Sequence, residues 1–181
     1  VKDIFSDLCF LIPGEEKNVY KASATEYLKK TGIRTDEDVL TWHVSRPIQE
    51  RDRKIYKHVI SAWNEEVPRR LKYTDLPEEL CTHNNRTAFL DRFKVVANDL
   101  HTSQTMVAHI SKDGHYFIHP DIEQARSITV REAARIQSFP DNYYFEGGRT
   151  AAFLQIGNAV PPLMAAAIAK ELKKQLEETK E

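Results

Sequence analysis

The sequence predicts an α+β chain: several short helices, one β-hairpin and much irregular structure. Three observations carry that expectation. Two capping boxes, Ser23 to Glu26 and Thr129 to Glu132, mark helix starts. Apolar residues recur at helical spacing in two longer stretches, Ile48 to Trp63 and Met164 to Leu176. From residue 103 the period changes to two, and "SQTMVAHI" and "YFIH" flank an Asp113-Gly114 turn. Strand and helix do not alternate over most of the chain, so the sheet of a complete nucleotide-binding α/β domain is not encoded.

In chain order, residues 1–22 show no firm period, and Pro13-Gly14 is a turn signal. The first capping box predicts a helix over about 24–31, stopped by Gly32. Residues 33–45 read as loop. A longer helix follows from Pro47 to Pro68, with Ile48, Ile55, Val59 and Trp63 on one face. "TDLPEEL", residues 74–80, reads as one or two helical turns. The hairpin closes at Pro120. The second capping box predicts a helix to about Ser138, stopped before Pro140. The last helix starts near Pro162, and its charged tail from Lys173 is expected to fray.

The length of 181 residues fits one domain, or one domain with an appendage. Hydrophobic residues make up 41%, enough for a core, and charged residues 29%. No apolar run approaches the ~20 residues of a membrane span, and no signal-peptide pattern opens the chain, so no membrane partner is expected. The two cysteines, Cys9 and Cys81, form neither a disulfide framework nor a CxxC pair, which favours a reducing, cytoplasmic setting. The net charge of −1 gives no global signal for nucleic acid, so any such contact needs a local patch. The first residue is Val, which favours a piece cut from a longer chain.

The glycines form neither a GxGxxG fingerprint nor a phosphate loop. Cys9 and Cys81 sit among apolar neighbours and read as small core residues rather than nucleophiles. On a hairpin, His109 faces one side and His115 and His119 the other, so no metal site is expected. Between 46 and 72 the basic residues outnumber Glu50, Asp52, Glu65 and Glu66, which reads either as a phosphate-facing patch or as a solvated face with internal pairs. Arg131 and Arg135, four apart, either make core-edge ion pairs or brace a neighbouring segment. "QIGNAVPP" reads as a turn at the entrance to the last helix, and there Gly157 allows close approach of backbone and Asn158 offers donor and acceptor groups, which suits contact with a ligand or partner.

Together, "RSITVREAARIQSFPDNYYFEGG" (126–148) and "QIGNAVPPLMAAAIA" (155–169) closely resemble the last two motifs of the cytosine-5 DNA methyltransferases, in spacing as well as residue types. "RTAFLDRF" and "TMVAHISKDGHYFIHPD" resemble the segment that precedes those motifs in bacterial members, and "VKDIFSDL" resembles the start of their target-recognition region. The resemblance implies an enzyme that flips a cytosine from duplex DNA. A Pro-Cys thiolate attacks ring carbon 6, a Glu of a Glu-Asn-Val motif assists, and S-adenosylmethionine gives a methyl to carbon 5. This sequence has no Pro-Cys, and Glu16-Lys17-Asn18-Val19 is not that Glu-Asn-Val motif.

The resemblance therefore implies the C-terminal part of such an enzyme, inactive alone. Residues 1–128 would be the target-recognition region. Residues 129–181 would carry the last motifs and a helix returning to a catalytic α/β domain or subunit outside this chain. It places Asn158, Ala159 and Val160 against S-adenosylmethionine. Arg92, His109 and Lys112 are the candidates for contact with double-stranded DNA. No catalytic residue is carried over. Restriction–modification is the implied biological setting. Two other readings remain at this stage: a stand-alone, non-catalytic DNA-binding or scaffold protein, and a metal-dependent hydrolase using the histidines.

Overall fold

The computed structural model describes residues 1–82, 90–97, 103, 106–112, 115 and 117–179. Its α-helices are α1 (Lys2–Phe5), α2 (Glu26–Thr31), α3 (Glu50–Trp63), α4 (Val130–Ile136), α5 (Arg149–Asn158) and α6 (Pro162–Glu178). Short 3-10 turns cover Tyr73–Asp75, Glu78–Leu80 and Ala108–Ser111.

The local signals act as their chemistry requires, with shifts. Thr25, not Ser23, caps α2, its hydroxyl accepting from the Leu28 N–H at 3.2 Å. Gly32 ends that helix in the left-handed region, φ 70°. Residues 47–49 stay outside the helix, Gln49 is extended, and α3 starts at Glu50. Its Ile55, Val59 and Trp63 are buried, with Ile48 packed on the same cluster. The Thr129 capping box forms in full: Thr129 Oγ1 accepts from Glu132 N (3.1 Å) and Glu132 Oε2 from Thr129 N (2.7 Å). Helix α5 was not anticipated, although Ala152, Phe153 and Ile156, which it buries, are spaced for a helix face.

The β part of the predicted fold class is wrong. Among the described residues no strand forms, and pairing is confined to isolated bridges, such as Val95 with Ile118 and Ile118 with Ser127. Where the first hairpin strand was expected, Ala108–Ser111 turns as a 3-10 helix. Asp113 and Gly114 lie outside the described residues. Met106 and Ile110 are both buried against α4 and α5. A spacing of four satisfies a two-residue alternation and a helical turn equally, and packing on α5 decided for the turn. Phe117, at φ 66°, breaks the second expected strand.

Among the described residues three apolar clusters make the core. One gathers α3 with Tyr73, Phe93 and Ile118. The second gathers α4 and α5 with Met106, Phe117 and Phe145. The third joins Ile4 of α1 to Leu28 and Ile33. Residues Arg149–Glu178 are long and apolar enough, by length and composition, to cross a membrane, which the sequence reading had not allowed for. That stretch is interrupted after Asn158, where Ala159 is extended (ψ 148°), and its first helix is seated in the core.

Candidate functional site

Loops without a sheet must satisfy their backbone in another way. Here buried arginines do so, and Arg126, Arg131 and Arg135 are among the largest fully buried side chains. Arg131 Nε donates to Thr41 O (3.0 Å), Nη1 to Pro140 O (3.2 Å) and Nη2 to Tyr143 O (3.0 Å). Arg135 Nη1 donates to Ile4 O at 2.6 Å. Both arginines brace other segments, and Arg135 also forms ion pairs, so both of the roles expected for them occur.

Arg135 is also the centre of an ion cluster. Its Nη1 and Nη2 reach Asp7 Oδ1 and Oδ2 (2.6 and 2.9 Å), while Nε and Nη2 reach Asp141 (3.0 and 2.5 Å). Arg34 also pairs with Asp7, and the Tyr20 hydroxyl donates to Asp141 at 2.8 Å. Burial works against the Arg135 charge, and the two carboxylates more than overcome it, so its pKa is raised.

A second cluster lies at the start of α4. Arg126 Nη1 and Nη2 grip Glu132 in a two-pronged pair (2.8 and 2.7 Å), and Arg126 Nε and Nη2 also meet Gln124 Oε1. Burial would raise the Glu132 pKa, but Arg126 holds it well below the usual carboxylate range. His119 stacks on Phe5 with its Nε2 3.7 Å from Glu132. Its Nδ1 accepts from Asp121 N at 3.2 Å, so the neutral ring carries its proton on Nε2. His43 Nε2 donates to Cys9 O at 2.9 Å.

Burial pulls His119 down to about 4. A folded pKa below the unfolded value of 6.5 contributes stability that is complete above 6.5 and is lost as pH falls toward about 4. The urea midpoint is therefore expected to fall between pH 7 and pH 4.5, and His119→Gln is expected to flatten that dependence. Denaturation curves across the interval check it, and equal slopes in both proteins would contradict it. His43, also lowered by burial, adds a smaller drop of the same sign in both proteins.

The expected cofactor residues lie at the junction of α5 and α6. Asn158 is the last residue of α5 rather than the entrance to a helix. It is exposed, and among the described residues its carboxamide has no hydrogen-bond partner. Ala159 is half-buried and Val160 is 60% exposed. Gln137 Nε2 donates to Ile156 O (3.2 Å), and the Leu163 N–H donates to Ser138 Oγ (3.1 Å), so the end of α4 holds both sides of the junction. Beyond it, α6 buries none of its residues, and Leu163, Met164, Ile168, Leu172 and Leu176 are all exposed.

Of the expected DNA contacts, His109 and Lys112 come together. Both are exposed at one turn that packs on α5, with Lys112 N bonded to His109 O at 2.9 Å. Arg92 is elsewhere, half-buried with its guanidinium 4.8 Å from the Tyr73 ring centroid. The three histidines of the expected hairpin separate for a reason other than strand parity, since no strand forms among the described residues. His109 is exposed, His115 meets the Tyr56 hydroxyl at 2.8 Å, and His119 is buried beside Glu132. Among the described residues no group of three or more His, Cys, Asp or Glu is placed to hold a metal ion. Cys9 is half-buried and Cys81 buried, each bonded to a backbone carbonyl.

Sequence reasoning missed Asp7, Arg126 and Asp141. Arg126 and Glu132 flank the Thr129 cap, and opposite charges around a capping box were a readable signal. Asp7 and Asp141 meet only through the fold.

Comparison with known proteins adds the following. The family model described as C-5 cytosine-specific DNA methylase matches residues 2–174. The chain is 51% identical over 179 residues to the type II methyltransferase M.Bpa9945I of Bacillus paralicheniformis, covering 95% of this chain and 40% of that protein. It is 54% identical over 71 residues to the type II methyltransferase M.AgeI of Thalassovita gelatinovora, covering 39% of this chain and 16% of that one. It is 34% identical over 192 residues to DNA (cytosine-5)-methyltransferase 2 of Arabidopsis thaliana, covering 97% of this chain and 12% of that protein. The chain thus spans well under half the length of these relatives.

Proposed function

The chain belongs to the C-5 cytosine-specific DNA methylase family, and from that premise we propose that it is the DNA-recognition and pocket-completing C-terminal part of a cytosine-5 DNA methyltransferase. The observation that carries this reading is the bare apolar face of α6, directly after Asn158-Ala159-Val160. A contiguous apolar face of that kind marks a contact surface. A catalytic domain or subunit, carrying the nucleophile, is its partner.

In this reading residues 1–128 form the target-recognition region and 129–181 carry the segments that return to the catalytic domain. Helix α4, ion-paired to Asp7, is the joint between them. His109 and Lys112 face double-stranded DNA from one turn, with Arg92 as a separate contact. The residues at the junction fit S-adenosylmethionine: an unpartnered carboxamide on Asn158 to donate and accept, with Ala159 and Val160 as an apolar edge. That molecule supplies the methyl group transferred to carbon 5 of cytosine. This chain's residues orient it and exclude water along one side. A cytoplasmic setting accompanies this reading.

The test is methyl transfer into duplex DNA with and without the catalytic part. The chain alone gives none, and the reconstituted pair gives transfer. Transfer by the purified chain alone would refute the assignment. DNA binding with no gain from the catalytic part would point instead to a stand-alone binding protein. In the pair, Asn158→Ala weakens S-adenosylmethionine binding by about two- to tenfold, the value of a lost hydrogen bond, with DNA affinity unchanged. Lys112→Ala does the reverse. Titration of both ligands on each variant separates the two roles.

A further inference from the structure

Helix α4 ends in a closed turn. The Phe139 N–H donates to Ala134 O and the Ser138 N–H to Arg135 O, both at 2.9 Å. That pair of bonds puts Ser138 where such turns usually carry glycine, because the residue there must enter the left-handed region. Ser138 does so at φ 60°, a conformation that strains a serine and suits a glycine. What serine has and glycine lacks is the hydroxyl, and here it accepts the Leu163 N–H at 3.1 Å. Leu163 is the second residue of α6, and the N-cap of that helix, Pro161, makes no side-chain capping bond. Ser138 therefore caps α6 from another helix.

Gln137, 6% exposed, acts on the other side of the junction. Its Nε2 donates to Ile156 O at 3.2 Å, and the same oxygen takes the Ala159 N–H at 3.3 Å. The second bond closes the last turn of α5, and Ala159 then leaves it in an extended conformation. Two successive residues at the end of α4 thus grip Ile156 and Leu163, which bracket Asn158, Ala159 and Val160. The backbone between them is held from both ends, while the Asn158 carboxamide stays exposed and without a partner among the described residues. Strain retained at a residue whose side chain fixes an unpartnered polar group points to a site.

We propose that Gln137 and Ser138 are positioning residues for S-adenosylmethionine: they do not touch it, and they set the direction in which the Asn158 carboxamide meets it. This rests on the reading that the junction borders the cofactor, and deepens it by naming what holds the junction. Hydrogen bonds weaken steeply as donor and acceptor turn out of line, so the direction of the carboxamide decides its value.

The experiment is calorimetric titration of S-adenosylmethionine into the purified pair of this chain and the catalytic part, with melting temperatures of the chain alone. Ser138→Gly relieves the left-handed strain and loses one exposed bond, so the melting temperature holds or rises, while cofactor binding weakens about two- to fivefold. Gln137→Met, close in volume and without the donor, weakens it similarly. Ser138→Gly combined with Asn158→Ala binds no more weakly than Asn158→Ala alone, because a positioning residue acts through the group it places. DNA affinity is unchanged throughout. Three results would overturn the positioning role and leave the cofactor reading standing: a lower melting temperature for Ser138→Gly, additive losses in the combined variant, or undiminished binding in either single variant while Asn158→Ala still weakens it. If the parent pair binds no cofactor, or if Asn158→Ala leaves its affinity unchanged, the cofactor reading itself falls, and the positioning role with it.

Discussion

Arg135→Ala is expected to lower folding stability by about 3–5 kcal/mol, the cost of stranding buried charge. Arg135 is 0% exposed and its two carboxylate partners are 1% and 0% exposed. Without it, Asp141 keeps the Tyr20 hydroxyl and Asp7 keeps Arg34, and the two carboxylates remain buried with one cation fewer. The same removal frees the backbone carbonyl of Ile4, so α1 loses its tie to α4. Urea denaturation measures the loss, and a shift below about 1 kcal/mol would show that the cluster does not hold the fold. Arg69→Ala, which breaks only an exposed pair with Glu65, is the matched control and should leave the midpoint unchanged.

Ile168→Asp with Leu172→Asp is expected to abolish association with the catalytic part while sparing the fold of this chain. Each apolar side chain contributes roughly 1.5–3 kcal/mol when buried, so losing two at one contact weakens it by about a hundredfold or more. Neither residue is buried within the chain, at 48% and 54% exposure, so the melting temperature should hold or rise. The same bareness predicts that amide exchange over 157–169 is faster in the isolated chain than in the complex. Sedimentation of the mixed proteins and hydrogen exchange provide the readouts. Undiminished association by the double variant would remove α6 from the interface.

Helices whose ends carry their own chemistry were legible in the sequence. The Thr129 box and the stop before Pro140 are local, and α4 follows them closely. The apolar face of α3 was legible because its period persists for four turns. The hairpin failed because Met106 and Ile110 are compatible with two periods, and the choice was made by packing on α5. Helix α5 was hidden behind Gly157 and Asn158, read as an entrance although they are an ending. Nor does the pattern show that three arginines replace a sheet as donors to loop carbonyls, since a buried Arg and a surface Arg are the same letter. At the site, the α5–α6 junction was marked by residue type, while the meeting of Asp7 and Asp141 on Arg135 spans more than a hundred positions and needs the fold.

Ser138 sits in the left-handed region at φ 60°, an unfavourable place for a residue with a side chain. Its hydroxyl takes the Leu163 N–H of α6, while its neighbour Gln137 closes the end of α5. The two side chains aim α6 from a helix that the ion clusters anchor. A helix swinging on a loose tether would surrender its orientational freedom at the moment of docking. Here much of that entropy is lost during folding instead, so a catalytic partner of the kind proposed would meet a preorganised surface, and more of the contact energy would appear as affinity. In the proposed assembly the strained serine is the alignment pin of the joint.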